Sequence, residues 1–123
     1  MIARRYRHLA WLAAWLLSSS LPACTDEDRR AGDRSRGDAA IRAYGCGTCH
    51  VIPDVPGAVG NVGPSLERFH RRVYIAGFIP NTPDALAQWI EDPQRFAPDT
   101  AMPNLGVTAA DARLIARHLS RDE

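Results

Sequence analysis

Lysine is missing from this 123-residue chain: all fifteen basic side chains are arginine. That excludes a lysine-rich docking face, and arginine favours planar, bidentate pairing with carboxylates. A charge excess of either sign is missing too. The formal net charge is +1, too balanced for a nucleic-acid-binding domain. Cysteine is scarce: Cys24, Cys46 and Cys49 make an odd set of three, short of the even four or more that build a disulfide scaffold. Each therefore needs a role of its own. Methionine is scarcer still, at Met1 and Met102 only. No apolar run reaches the roughly 20 residues that span a bilayer, and no alternating strand pattern occurs. What remains is ordinary for one globular domain, with 46% hydrophobic and 24% charged residues.

The N-terminus reads as an export signal over residues 1–23. Arg4, Arg5, Arg7 and His8 form a positive region, Leu9 to Leu17 an apolar core, and Ser18 to Ser20 follow. The segment ends in Leu21-Pro22-Ala23-Cys24, which resembles a bacterial lipobox with Cys24 as the residue to be acylated. The alternative is ordinary cleavage after Ala23, against which stand the bulk of Leu21 and the liability of a lone exported thiol. Residues 25–36 are charged and lack any large apolar side chain, so they read as a flexible tether. A coil of that length has a root-mean-square reach of roughly 20 Å.

About 85 residues remain, 37–121. So short a domain is marginal on its own side chains, which points to something else supplying part of the core. Three helices are predicted. The first runs from about Gly37 to Tyr44, with Ile41 and Tyr44 on one face and Gly45 as the stop. The second has Thr82 as N-cap, Pro83 at the first position, Leu86, Trp89 and Ile90 as its apolar side, and Pro93 as its end. The third is capped by Thr108 with Asp111 three residues on, and buries Ala112, Ile115, Ala116 and Leu119. The fold class is all-α. The intervening loops are long for so small a unit unless they wrap something.

Cys46-Gly47-Thr48-Cys49-His50 is a C-x-x-C-H motif, the signature of covalent haem c attachment. Two thiols one helical turn apart suit addition to the two vinyl groups of one porphyrin, and the next residue, His50, suits coordination of its iron. Three other readings compete. A thioredoxin-like dithiol needs strand–helix–strand context, a structural zinc site needs four ligands, and a Cys46–Cys49 disulfide closes too small a loop to stabilise much.

From Gly37 to about Leu119 the chain resembles the class I c-type cytochromes, and most of all the small monohaem cytochromes and cytochrome-like domains associated with bacterial terminal oxidases. The matching stretches are Y-G-C-G-T-C-H, then V-G-P-S-L, then P-D-T-A-M-P-N-L-G-V-T before the last helix. The resemblance implies a cytochrome c-like fold wrapped around one covalent haem c, with Cys46 and Cys49 as its attachment points. It implies His50 and Met102 as the axial ligands of the iron. Met102 is also the only methionine left once the signal is removed, with Pro98 and Pro103 flanking it; His70 and His118 are the rival ligands. By the same resemblance, the Pro64 carbonyl accepts the proton of the ligating imidazole, Arg72 lies near the haem propionates, and Trp89 packs beside the haem on the methionine side. His118 departs from the pattern, which has an aromatic residue packing the last helix on the first.

The expected function is one-electron transfer in or near a bacterial respiratory chain, as a carrier or an oxidase-associated subunit and not as an enzyme itself. Two axial ligands leave no open position on iron, and His/Met ligation raises the potential. The expected partners are the membrane, through the acyl anchor on the periplasmic side, and redox proteins such as a cytochrome bc1-type complex or a terminal oxidase. No nucleic acid and no small-molecule substrate are expected. With the signal removed, twelve arginines face fourteen acids, so the polypeptide carries about −2. The alternatives are a haem enzyme or gas-binding sensor with a labile sixth ligand, and a haem-free lipoprotein with a structural cysteine pair.

Overall fold

The computed structural model describes residues 25–121. The expected signal segment and Cys24 lie outside the described residues.

Helix α1 spans Asp26–Ala43, so it begins eleven residues before the start predicted at Gly37. The expected coil over residues 25–36 is thereby corrected: apart from its cap, Thr25, it is helix. The reason lies in charge and capping rather than in apolar burial. Thr25 accepts a hydrogen bond from the Asp28 N–H, and the Asp28 carboxylate accepts one from the Thr25 N–H, a complete capping box. Asp26, Glu27 and Asp28 place negative charge in the first turn, where the helix dipole favours it. Ion pairs Arg29–Asp26 and Arg36–Asp33 run along the surface, and Arg117 reaches Asp33 from the last helix at 3.5 Å. Exposed pairs contribute only about 0.3–0.5 kcal/mol each. They suffice here because the packed half of α1 supplies the nucleus, so extending it needs no new one. Tyr44 closes the helix and Gly45, at φ +69°, turns the chain out of it.

Helix α2 spans Pro83–Glu91, capped by the Thr82 side chain as predicted, and buries Leu86, Ala87, Trp89 and Ile90. Asp92 leaves helical geometry before Pro93, as expected of a residue preceding proline. It then caps a further single turn, α3 over Pro93–Phe96, by accepting from the Arg95 N–H. Helix α4 spans Ala109–Leu119 behind its Thr108 cap and buries Ala112, Ile115, Ala116 and Leu119, the predicted stripe. Among the described residues the only paired strands are a two-residue antiparallel couple, β1 Tyr74–Ile75 and β2 Ile79–Pro80, joined through Ala76 and Gly77 at positive φ. The domain is therefore helix-rich rather than purely α.

The core lies where α1 and α2 both pack on α4, around Ile41, Ala112 and Ile115. Tyr44 clasps the far end, donating its hydroxyl to Asp111 at 2.8 Å and accepting from the Thr108 N–H. The contact between the first and last helices is made despite the missing aromatic residue, because Gly37 brings the backbones together. A Cβ on Gly37 would sit 3.0 Å from the Cβ of His118 and 3.0 Å from the Leu114 carbonyl oxygen. Alanine in mid-helix normally stabilises by up to about 1 kcal/mol over glycine. At Gly37 the sign is expected to reverse, to a loss of about 1–3 kcal/mol from overpacking, read as a fall in thermal midpoint.

His118 is half-buried at that crossing. Burial first, and the Arg121 charge second, lower its pKa below the ordinary 6.5, against an opposing pull from Asp38. A lowered folded-state pKa means that the unfolded chain takes up the proton first, so stability is lost as pH falls through the ordinary histidine range. The thermal midpoint is expected to drop between pH 7 and pH 5.5, and His118→Leu to flatten that drop.

Candidate functional site

The chain leaves Gly45 into a short turn of helix, Cys46–Thr48. The amides of Cys49 and His50 both donate to the Cys46 carbonyl, at 3.3 and 3.1 Å, so the two cysteines and the histidine share one turn. The segment after it folds back on the motif and grips it with backbone hydrogen bonds. Gly60 N–H donates to the Gly47 carbonyl at 3.0 Å, Gly63 N–H to the Cys49 carbonyl at 2.7 Å, and Leu66 N–H to the Val51 carbonyl at 2.8 Å. Glycine is required where the two strands of loop touch. A Cβ on Gly60 would lie 2.3 Å from the Thr48 carbonyl oxygen, and one on Gly63 would lie 2.4 Å from Cε1 of the His50 ring.

His50 Nδ1 stands 2.7 Å from the Pro64 carbonyl oxygen. A carbonyl only accepts, so Nδ1 carries the proton and donates it, which leaves Nε2 with a free lone pair. The ring is thus fixed in the tautomer that ligates through Nε2, oriented by a backbone acceptor.

Met102 comes from the loop between α3 and α4 and is half-buried against the core. Its carbonyl accepts from the Gln94 side-chain amide at 2.8 Å, and its N–H donates to the Thr100 hydroxyl at 3.4 Å. Asn104 ties the same loop down, donating to Asp92 and accepting from the Gly106 N–H. Trp89 is buried, with Phe78 meeting it edge-on at 6.4 Å and Phe96 tilted against it at 6.3 Å. Arg72 lies 5.3 Å over the Phe69 ring and donates to the Ser65 carbonyl.

Seven positions singled out in the sequence, Cys46, Cys49, His50, Pro64, Arg72, Trp89 and Met102, line one cavity of about 330 Å³. The rest of its wall is almost entirely aliphatic and aromatic, including Ile41, Leu86, Ile90 and Ile115. The eighth, Cys24, lies outside the described residues. Neither rival ligand, His70 or His118, lines this cavity; both border a second cleft. Sequence reasoning missed Gln94, Asn104 and the role of Gly63. The spacing of Gln94 from Met102 carries no signal, whereas Gly63 directly precedes the Pro64 that had been singled out.

Cys46 and Cys49 are free thiols. Burial pushes the Cys46 thiol above its ordinary pKa, which disfavours the thiolate that a redox-active dithiol requires. Among the described residues no three of His, Cys, Asp and Glu gather as a metal-binding group. The arrangement offers two thiols, one imidazole nitrogen and one thioether on the walls of a largely apolar space. No protein-family model, curated protein or solved structure matches the chain.

Proposed function

We propose that this protein is an electron-transfer cytochrome with the class I cytochrome c fold, holding one haem c bonded to Cys46 and Cys49 and ligated by His50 and Met102. The observation that carries this reading is the convergence of all four residues on one apolar cavity. The residues fit the group on independent grounds. The two thiols are not joined in a disulfide, the His50 tautomer leaves Nε2 available, and the absence of a Cβ on Gly63 gives the imidazole its place. The cavity falls within the size and polarity range of cofactor sites.

When bound, a His/Met-ligated haem supplies a reversible one-electron couple with no open coordination position. The chain's own residues do the rest. Pro64 holds the His50 ring by its Nδ1 proton, and Gln94 and Thr100 hold the backbone of Met102. The aliphatic wall keeps water out, and Arg72 brings a positive charge to the cavity. Such a protein exchanges electrons through brief, small interfaces, below about 1,200 Å². Redox complexes of the respiratory chain, a cytochrome bc1-type donor or a terminal oxidase acceptor, suit that role.

The proposed acyl group on Cys24 would sit two residues before α1. The part of α1 preceding Gly37 would then be a stiff spacer of about 16 Å, in place of a swinging coil. No helix among the described residues is long and apolar enough to cross a membrane, so anchoring in this account rests on the lipid.

The deciding experiment is the absorption spectrum of the reduced protein with and without carbon monoxide. A six-coordinate low-spin spectrum unchanged by the gas is expected. A clear carbon monoxide shift would mean a labile sixth ligand and overturn the carrier reading in favour of a gas-binding or enzymatic haem.

A further inference from the structure

Behind the wall formed by Ile52, Leu66, Phe69 and Leu119 lies a second cleft of about 660 Å³, more polar than the first, between α1, the loop at residues 53–54, the turn at residues 68–70 and the end of α4. Three arginines from three different segments line it: Arg34, Arg68 and Arg121. Neighbouring arginines are engaged, with Arg36 and Arg117 on Asp33 and Arg42 on Asp38. Arg34, Arg68 and Arg121 make no ion pair within 4 Å among the described residues. Two acids also border the cleft among the described residues: Asp54, and Asp38, which pairs with Arg42 through one oxygen and keeps the other, Oδ1, buried without a hydrogen-bond partner.

Like charges converge here at a cost. Burial first, and the charge of Arg34 second, lower the pKa of Arg121, against opposing pulls from Asp54 and Asp33. His118 borders the cleft as well. Two lining residues, Asp54 at φ +59° and Arg68 at φ +48°, hold the left-handed backbone conformation that side chains other than glycine rarely adopt. A cleft lined by three guanidinium groups from three segments, against two carboxylates, suits an oxyanion.

We infer that this cleft is a binding site for a phosphate-type oxyanion, gripped by the guanidinium groups of Arg34, Arg68 and Arg121 with His118 at its back. Free phosphate and the phosphate of an anionic lipid headgroup share this chemistry. The inference does not depend on the cofactor in the first cavity, since it uses none of the four residues assigned to it.

The test uses the full-length holoprotein carrying Cys24→Ser, so that no acyl anchor contributes. One arm titrates inorganic phosphate, followed by chemical-shift changes at residues 34, 54, 68, 118 and 121. The other measures co-sedimentation with phosphatidylglycerol vesicles and with phosphatidylcholine vesicles. Saturable shifts confined to these residues are expected, with affinity at least tenfold weaker in Arg34→Gln and Arg121→Gln, and unchanged in Arg113→Gln on the outer face of α4. Binding of phosphate itself identifies a free oxyanion as the ligand. Binding of phosphatidylglycerol vesicles alone, lost in the same two variants, identifies the headgroup. Absence of both, or binding that Arg34→Gln and Arg121→Gln leave unaltered, overturns the inference.

Discussion

Alanine at Met102 is expected to abolish the six-coordinate low-spin spectrum and to lower the reduction potential by on the order of 0.1 V or more, since axial ligation sets haem potentials over roughly 0.8 V. Met102 is the only methionine among the described residues and the only thioether in the cavity wall. Its backbone is held by Gln94 and Thr100. Those bonds survive a side-chain change, so the loop keeps its course while the sulfur is lost. Met102→Leu separates ligation from packing. Leucine keeps the volume at a cost below about 1.5 kcal/mol but cannot bind iron, so it should reproduce the spectral change with little loss of stability. An unchanged spectrum in both variants would remove Met102 from the iron.

Gly63→Ala is expected to be nearly as severe, although Gly63 bears no chemistry. Its φ is ordinary, so alanine meets no backbone objection; the obstacle is space. The new Cβ would lie 2.4 Å from Cε1 and 2.7 Å from Nδ1 of His50. Backbone on that side is tied to the Cys49 carbonyl at 2.7 Å, so the ring has to move. Moving it breaks the Nδ1–Pro64 bond that sets the tautomer. The expected result is a stability loss of about 1–3 kcal/mol together with a disturbed imidazole ligand, seen as a mixed-spin spectrum. Gly57→Ala serves as control for the loop, because a Cβ there meets nothing within 4 Å and only its positive φ is strained. A normal spectrum in Gly63→Ala would show that the ring tolerates displacement.

The parts of the fold that were legible in the sequence are those governed by local rules. Thr82-Pro83 and Thr108-x-x-Asp111 announce helix starts through capping, and Ala112, Ile115, Ala116 and Leu119 announce a buried stripe through spacing. The start of α1 was missed although Thr25-x-x-Asp28 carries the same capping pattern as Thr108-x-x-Asp111, because no apolar stripe follows it. Residues 26–36 have no apolar face, so periodicity is silent there, while the capping box at Thr25 and Asp28 and alternating charges extend a helix that packing has already nucleated. The two-residue strands at Tyr74–Ile75 and Ile79–Pro80 are too short to alternate.

In the candidate site, Cys46, Cys49 and His50 stood out as a C-x-x-C-H motif, and Pro64 only through the resemblance to c-type cytochromes. Gln94 and Asn104 did not, since each reaches across eight to twelve residues by a hydrogen bond that depends on how α3 is placed. Gly37 teaches the same lesson at the α1–α4 crossing: a histidine stands where an aromatic residue was expected, and the contact is made by the residue that has no side chain.

The central claim is that one porphyrin is joined to the chain at Cys46 and Cys49. Intact and peptide mass spectrometry of the protein, exported from a host able to mature c-type haem, tests this directly. The account predicts one added haem per chain, retained after acid–acetone extraction and located on the peptide containing residues 46–50. A polypeptide of unmodified mass, with both thiols free to alkylation, would contradict it.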